Sequence, residues 1–204
     1  MDTQPILNQS KNKPTVKVIL AVLAIIVIGE LIWAGITLTK GNKTNIPVVD
    51  NLTRTTTQPA RIILQSDKAG LKIGEQVKVD ILVDTGGKAT DGTDVILNFD
   101  PKTLSVVTAS VSAKPVSVGT IYTSYPKNSQ EPDKVLLSGI SGVGSSFSGQ
   151  GLLGSVTFKA LAAGLTTVAV DFRLGSTTDS NMIETGTVTD VLTEVKNLSL
   201  TILP

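Results

Sequence analysis

Hydrophobic positions follow two rhythms along the chain. The first is an apolar run from Val18 to Leu38, VILAVLAIIVIGELIWAGITL, carrying a single charge at Glu30 and flanked by Lys17 and Lys40. At about 1.5 Å rise per residue it makes a helix of about 31 Å, against a hydrocarbon core of about 30 Å. No water reaches that layer, and a helix satisfies its own backbone. The run predicts one membrane-spanning helix over residues 17–39. It is longer than the apolar stretch of a cleaved signal peptide, and no small-x-small site follows it, so an uncleaved signal-anchor is expected.

The second rhythm begins at Ala60 and has period two. In Val77 to Thr85, Val77, Val79, Ile81 and Val83 share one face while Lys78, Asp80 and Asp84 share the other. That is a strand with one side on a core. Asp94 to Phe99 places Val95, Leu97 and Phe99 inward, and Asp100 with Pro101 then starts a capped turn that closes on Leu104. Further strands are predicted at Arg61 to Ser66, Ser105 to Val111, Gly119 to Ser124, Lys134 to Ser141, Leu152 to Ala160, Thr166 to Phe172 and Asn197 to Leu203. In Leu152 to Ala160 the inward set reads Leu152, Val156, Phe158 and Ala160; in the last strand it reads Leu198, Leu200 and Ile202. No amphipathic helix of useful length appears. Nine short strands between Gly, Pro, Asp and Ser punctuation imply an all-β antiparallel sandwich over residues 60–204.

Between anchor and sandwich, KGNKTNIPVVDNLTRTTTQP (residues 40–59) has neither period and reads as a flexible linker. Residues 1–16 are a short polar tail. Lys11, Lys13 and Lys17 precede the helix and Lys40 and Lys43 follow it, which favours a cytoplasmic N-terminus and a C-terminal domain outside the cell. Glu30 in the helix is expensive in lipid; Trp33, Ala34 and Thr37 lie on its face, so it is a candidate contact to a partner helix.

Composition narrows the chemistry. Lys and Arg total 18 against 17 Asp and Glu; residues 1–59 hold six basic and three acidic, which leaves the sandwich mildly acidic. Such a balance gives no reason to expect a nucleic-acid partner. There are no cysteines and no histidines. No Ser-His-Asp or Cys-His arrangement is possible, nor a zinc site with His or Cys ligands, so an enzyme is not expected. GQGLLG (Gly149 to Gly154) fits GxGxxG but leads into a strand, where the nucleotide motif opens a helix. SYPK (Ser124 to Lys127) fits SxxK, yet Pro126 breaks the helix that motif needs. Asp91 and Asp94 flank a predicted turn, and Asp179, Asn181 and Glu184 in STTDSNMIE supply hard oxygen ligands that suit calcium; Asx turns explain the same residues.

DVILNFDPKTLSVVTASV (Asp94 to Val111) resembles a cohesin-domain signature: an alternating strand ending in aromatic-Asp-Pro, a turn, then Leu and a Val-rich strand. KVLLSGIS and GLLGSVTFKALAAGLTTVAVDF (Gly151 to Phe172) resemble the family's later strands. The similarity runs from about Arg61 to Leu203. It implies a nine-stranded jelly-roll sandwich, shared with certain carbohydrate-binding modules, and a module that binds dockerins in cell-surface complexes, often for polysaccharide breakdown. It implies docking on the sheet containing the strand before the Asp-Pro turn, with Asp94 at a usual contact position. Gly92 stands where Asn is frequent, and GVGSSFSGQG carries no charge where some cohesins are acidic. Outward residues expected on that sheet are Asp94, Ile96, Asn98, Leu136, Ser138, Leu153, Ser155 and Thr157. A polysaccharide ligand is the rival, with Tyr122, Tyr125 and Phe147 as the available rings; a structural surface subunit is the third reading.

Overall fold

The computed structural model describes residues 58–110 and 112–204. The predicted membrane helix Val18 to Leu38, Glu30 within it and the linker before Gln58 lie outside the described residues. The described residues form thirteen strands and no helix: β1 (Ala60–Ser66), β2 (Gly70–Lys72), β3 (Gln76–Asp84), β4 (Thr90–Asn98), β5 (Leu104–Val106), β6 (Val116–Val118), β7 (Ser124–Gln130), β8 (Lys134–Ile140), β9 (Gln150–Ala160), β10 (Gly164–Val170), β11 (Asn181–Glu184), β12 (Leu192–Lys196) and β13 (Leu198–Leu203).

They make two sheets. The first runs β12-β1-β3-β9-β5, with β6 also on β9; the second runs β2-β13-β10-β4-β8-β7, with β11 also on β4. Most neighbours are antiparallel, as alternation implied. β1 with β12 and β2 with β13 are parallel, so the expectation of a purely antiparallel sandwich is corrected at two edges. The strand at Gly119 to Ser124 is also corrected. β6 precedes that stretch, β7 begins at its last residue, and the rest is connection.

The inward positions of β3 and β4 pack as their period demands: Val77, Val79, Ile81, Val83, Val95 and Leu97 are fully buried. Phe99 and Phe158 meet edge to face across the sandwich at 5.2 Å between ring centres, a favoured aromatic geometry. Asp100 builds the turn after β4: its side chain accepts from the Lys102 N–H and its carbonyl from the N–H of Thr103 and Leu104.

The inward set of β9 is corrected by a bulge. Ile81 lies opposite Gly154 but Leu82 lies opposite Leu152, so Leu153 is an extra residue in the ladder. Leu153 turns into the core and is fully buried, while Leu152 faces outward, half-buried. Gly154 also faces in. A Cβ there would sit 2.7 Å from Val116 Cγ1 and 3.2 Å from Leu137 Cδ2, so two consecutive inward residues fit because one lacks a side chain.

On the outer side of the first sheet, polar groups satisfy one another. Asp84 Oδ2 accepts from Arg61 Nε and Nη2 at 3.2 and 3.0 Å and from Gln150 Nε2 at 2.9 Å, and Oδ1 accepts from the Gly86 N–H. This ties β1, β3 and β9 together. Asp80 accepts from the Ser155 hydroxyl at 2.6 Å and pairs with Lys78 at 2.9 Å.

Candidate binding face

β4 and β8 lie side by side near the middle of the second sheet, and the even-numbered residues from Asp94 to Asn98 and from Lys134 to Ile140 point away from the core. Register sets them in rows. Asp94 lies opposite Ser138, and Ser138 opposite Lys127 of β7; Ile96 lies opposite Leu136, and Leu136 opposite Ser129; Asn98 lies opposite Lys134. On the other side of β4, Asn181 of β11 lies opposite Asp94. The centre is thus an apolar pair, Ile96 and Leu136, with an acid, a hydroxyl and a lysine in the adjoining row. The connection after β10 frames one side: the Ile96 N–H donates to Ser180 Oγ at 2.9 Å and the Asp171 N–H to the Ile96 carbonyl at 2.8 Å. A hollow of about 220 Å³ is lined by Asp94, Ile96, Lys127, Leu136, Ser138, Thr178 and Asn181. A second of the same volume adjoins it at Gly92, Ile140 and Ile183.

Hydrogen-bonding capacity separates the two outer faces. Among the described residues, Asp94, Lys127 and Ser138 make no side-chain hydrogen bond, whereas Asp80 and Asp84 across the sandwich both bond neighbouring side chains. Rigid β backbone holds these free groups and the apolar pair, an arrangement that suits a protein interface.

Five of the eight predicted face residues come together here: Asp94, Ile96, Asn98, Leu136 and Ser138. The other three do not. Leu153, Ser155 and Thr157 belong to β9, in the opposite sheet. Leu153 is core by virtue of the bulge, Ser155 is buried on Asp80, and Thr157 lies opposite Lys78. Lys127 and Ser129 were missed because β7 shows no hydrophobic period, and Asn181, read as a calcium ligand, was not placed on this face because β11 is only four residues long.

The calcium ligands do not converge. Asp179 is buried; one oxygen accepts the Arg173 N–H and the other has no partner. Burial works to raise its pKa, but the nearby Ser176 hydroxyl, the Arg173 N–H and the Arg173 charge hold it below the usual carboxylate value. Asn181 donates to the Asp179 carbonyl, while Glu184 turns to Thr187 and Lys88. Among the described residues no cluster of three acidic, histidine or cysteine side chains suits a metal. Asp91 and Asp94, read as flanking a turn, both lie within β4.

The aromatic platform a flat glycan surface needs is missing among the described residues. Tyr122 is buried, with its hydroxyl on Thr90 and Thr93 at 3.0 and 2.8 Å. Phe147 packs edge to face on it at 6.0 Å, and Tyr125 donates to the Gly119 carbonyl.

Solved structures supply the comparison. The chain is similar to a type II cohesin domain from the Acetivibrio cellulolyticus cellulosome, with 17% identity, a TM-score of 0.56, and coverage of 70% of this chain and 95% of that one. It is similar to the seventh ScaB type I cohesin of Pseudobacteroides cellulosolvens, with 20% identity, a TM-score of 0.55, and coverage of 71% and 92%. It is also similar to the sixth cohesin of scaffoldin B from Acetivibrio cellulolyticus, solved in complex with a Cel5 dockerin variant, with 14% identity, a TM-score of 0.55, and coverage of 72% and 100%. No protein-family model matches the sequence, and no curated protein matches it. At these identities the likeness shows the fold: the sandwich is cohesin-like.

Proposed function

We propose that the sandwich is a non-catalytic protein-binding module that takes a dockerin-like partner on the outer face of the second sheet. The observation that carries this reading is the Ile96–Leu136 pair beside Asp94, Ser138 and Lys127, polar groups with no internal partner. The cohesin-like fold supports it, and one such cohesin was solved with a dockerin bound. We infer further that Val18 to Leu38 anchors the module in the membrane with its N-terminus cytoplasmic. The module then works outside the cell, with surface assembly for polysaccharide breakdown as the setting.

The test is binding of the full chain, in nanodiscs, to a panel of dockerin modules, beside a panel of insoluble polysaccharides. A dockerin should bind, and Ile96→Asp or Leu136→Asp should weaken it by about 30-fold or more, as for central interface residues. Binding to glycan alone, or dockerin binding indifferent to both substitutions, rejects the assignment.

A further inference from the structure

A cavity of about 710 Å³ opens beyond the β7 edge of that face. It opens at the edge of the sandwich between the β5–β6 connection and the β7–β8 turn, with Val106, Ser112, Lys114, Asn128, Gln130 and Pro132 on its walls. One wall is a sheet edge: β7 ends the second sheet and pairs with β8 alone.

The ladder shows which backbone groups of β7 are engaged. Ser141 donates to the Asp91 carbonyl and Phe99 to the Asp133 carbonyl, so the odd-numbered residues of β8 bond toward β4. Glu131 donates to the Lys134 carbonyl, so the even-numbered residues of β8 bond the odd-numbered residues of β7. In an antiparallel pair the bonding residues alternate. The N–H and C=O of Asn128 and Gln130 therefore point away from β8, to the open edge. The sequence agrees: Pro126, which has no N–H to offer, is tolerated in edge strands and at bulges. The Asn128 side chain bridges the sheets under the cleft, accepting from the Val116 N–H at 3.1 Å and donating to the Val116 carbonyl at 2.8 Å.

We propose that this cleft receives an extended peptide, which adds to β7 as a further strand by bonding the main-chain groups of Asn128 and Gln130. Strand addition draws affinity from main-chain bonds and selectivity from side-chain pockets. The opposite wall, Ser112 to Pro115, stands across from that edge, and a second copy of the domain would have to bring its own neighbouring strands past it. Lys114 and Glu131 balance in charge, and Ser112 and Ser129 are small. The site therefore suits a peptide with small uncharged side chains. It adjoins the face proposed above at Ser129, but Ala113, Asn128 and Gln130 lie outside that face, so either reading can fail alone.

The probe is a displayed library of random ten-residue peptides, selected on the full chain in nanodiscs and read by hydrogen exchange. The Asn128 and Gln130 amides should exchange freely in the unbound chain, and enriched peptides should protect them and leave the β8 amides as they were. Gln130→Pro removes one outward donor and should weaken binding by about tenfold or more. Ala113→Trp, which fills the cleft from the opposite wall, should do the same and decides the matter if the proline variant loses β8 protection. A library that yields no binder preferring the parent chain to these variants, or binders that protect amides elsewhere, overturns the proposal.

Discussion

Leu153→Ala tests the bulge in β9, and with it the division of residues between core and binding face. Strict alternation puts Leu153 on the outside of its strand; the extra residue opposite Ile81 and Leu82 puts it in the core, fully buried. Truncation removes three carbons. At about 0.8 kcal/mol per buried methylene the transfer loss is about 2.4 kcal/mol. The cavity left behind adds to this, giving about 3–5 kcal/mol for such a site. For a domain of this size each kcal/mol moves the melting temperature by about 3–4 °C, so a fall of about 9–20 °C is expected. Leu152→Ala is the control. It faces outward and half-buried, and should cost about 1 kcal/mol or less. Urea unfolding of both variants in the full chain, followed by far-ultraviolet circular dichroism, gives the two values. If Leu152→Ala costs as much as Leu153→Ala, or Leu153→Ala less than about 1 kcal/mol, the bulge register is wrong.

Asp84 should make the domain acid-sensitive. Burial works to raise its pKa, but hydrogen bonds from Gly86, Gln150 and Arg61 and the Arg61 charge lower it below 3.8. Its stabilisation is therefore full above the unfolded value and lost as pH falls through the lower folded value. Asp84→Asn should cost about 1–3 kcal/mol at pH 7 and flatten the stability profile below about pH 4; an unchanged acid limb in a pH series of melts would count against this. Tyr122→Phe should cost about 1–2 kcal/mol, because the Thr93 hydroxyl loses its bonding partner while Thr90 keeps the Phe147 carbonyl. Calorimetry reads that loss, and a neutral result would place the tyrosine hydroxyl elsewhere. Removing calcium with EDTA should leave the melting temperature unchanged, since Asp179, Asn181 and Glu184 point to different partners; a clear drop would mean that they converge on an ion.

Where one face of a strand meets the core and the other meets water, the sequence was legible. β3 and the second half of β4 could be read because Val77, Val79, Ile81 and Val83, and Val95, Leu97 and Phe99, recur at period two even though Leu82 and Ile96 face outward; Thr90 to Thr93, without an apolar residue, read as a turn. β7 could not. Its inward residue is Asn128, polar and satisfied by Val116, so SYPKNSQ shows no hydrophobic period. The short strands β2, β6, β11 and β12 hold three to five residues each, too few for a period to declare itself. Leu152 and Leu153 stand side by side, and nothing local says which is the bulged residue. That depends on Gly154 meeting Val116 and Leu137 from other strands.

The same logic explains the half of the binding face that was read. Asp94, Ile96 and Asn98 alternate with core residues on one strand, so their shared direction is a local property. That Leu136 and Ser138 join them depends on β8 pairing with β4, and that Ser155 and Thr157 do not depends on β9 pairing with β3. Both are long-range pairings between strands of similar pattern, and either β8 or β9 would bury its apolar side beside β4. What separates them is the fate of the outward polar groups. Ser155 faces Asp80 and bonds it, which closes that surface on itself. Ser138 faces Asp94 and Lys127, three polar residues in register without a side-chain bond among the described residues. A surface whose polar groups already bond one another gains little from a partner, because each contact must first break an existing one. The β4–β8 face has its donors and acceptors free around an apolar centre, and that difference, more than the sandwich itself, is why the binding reading rests on this sheet.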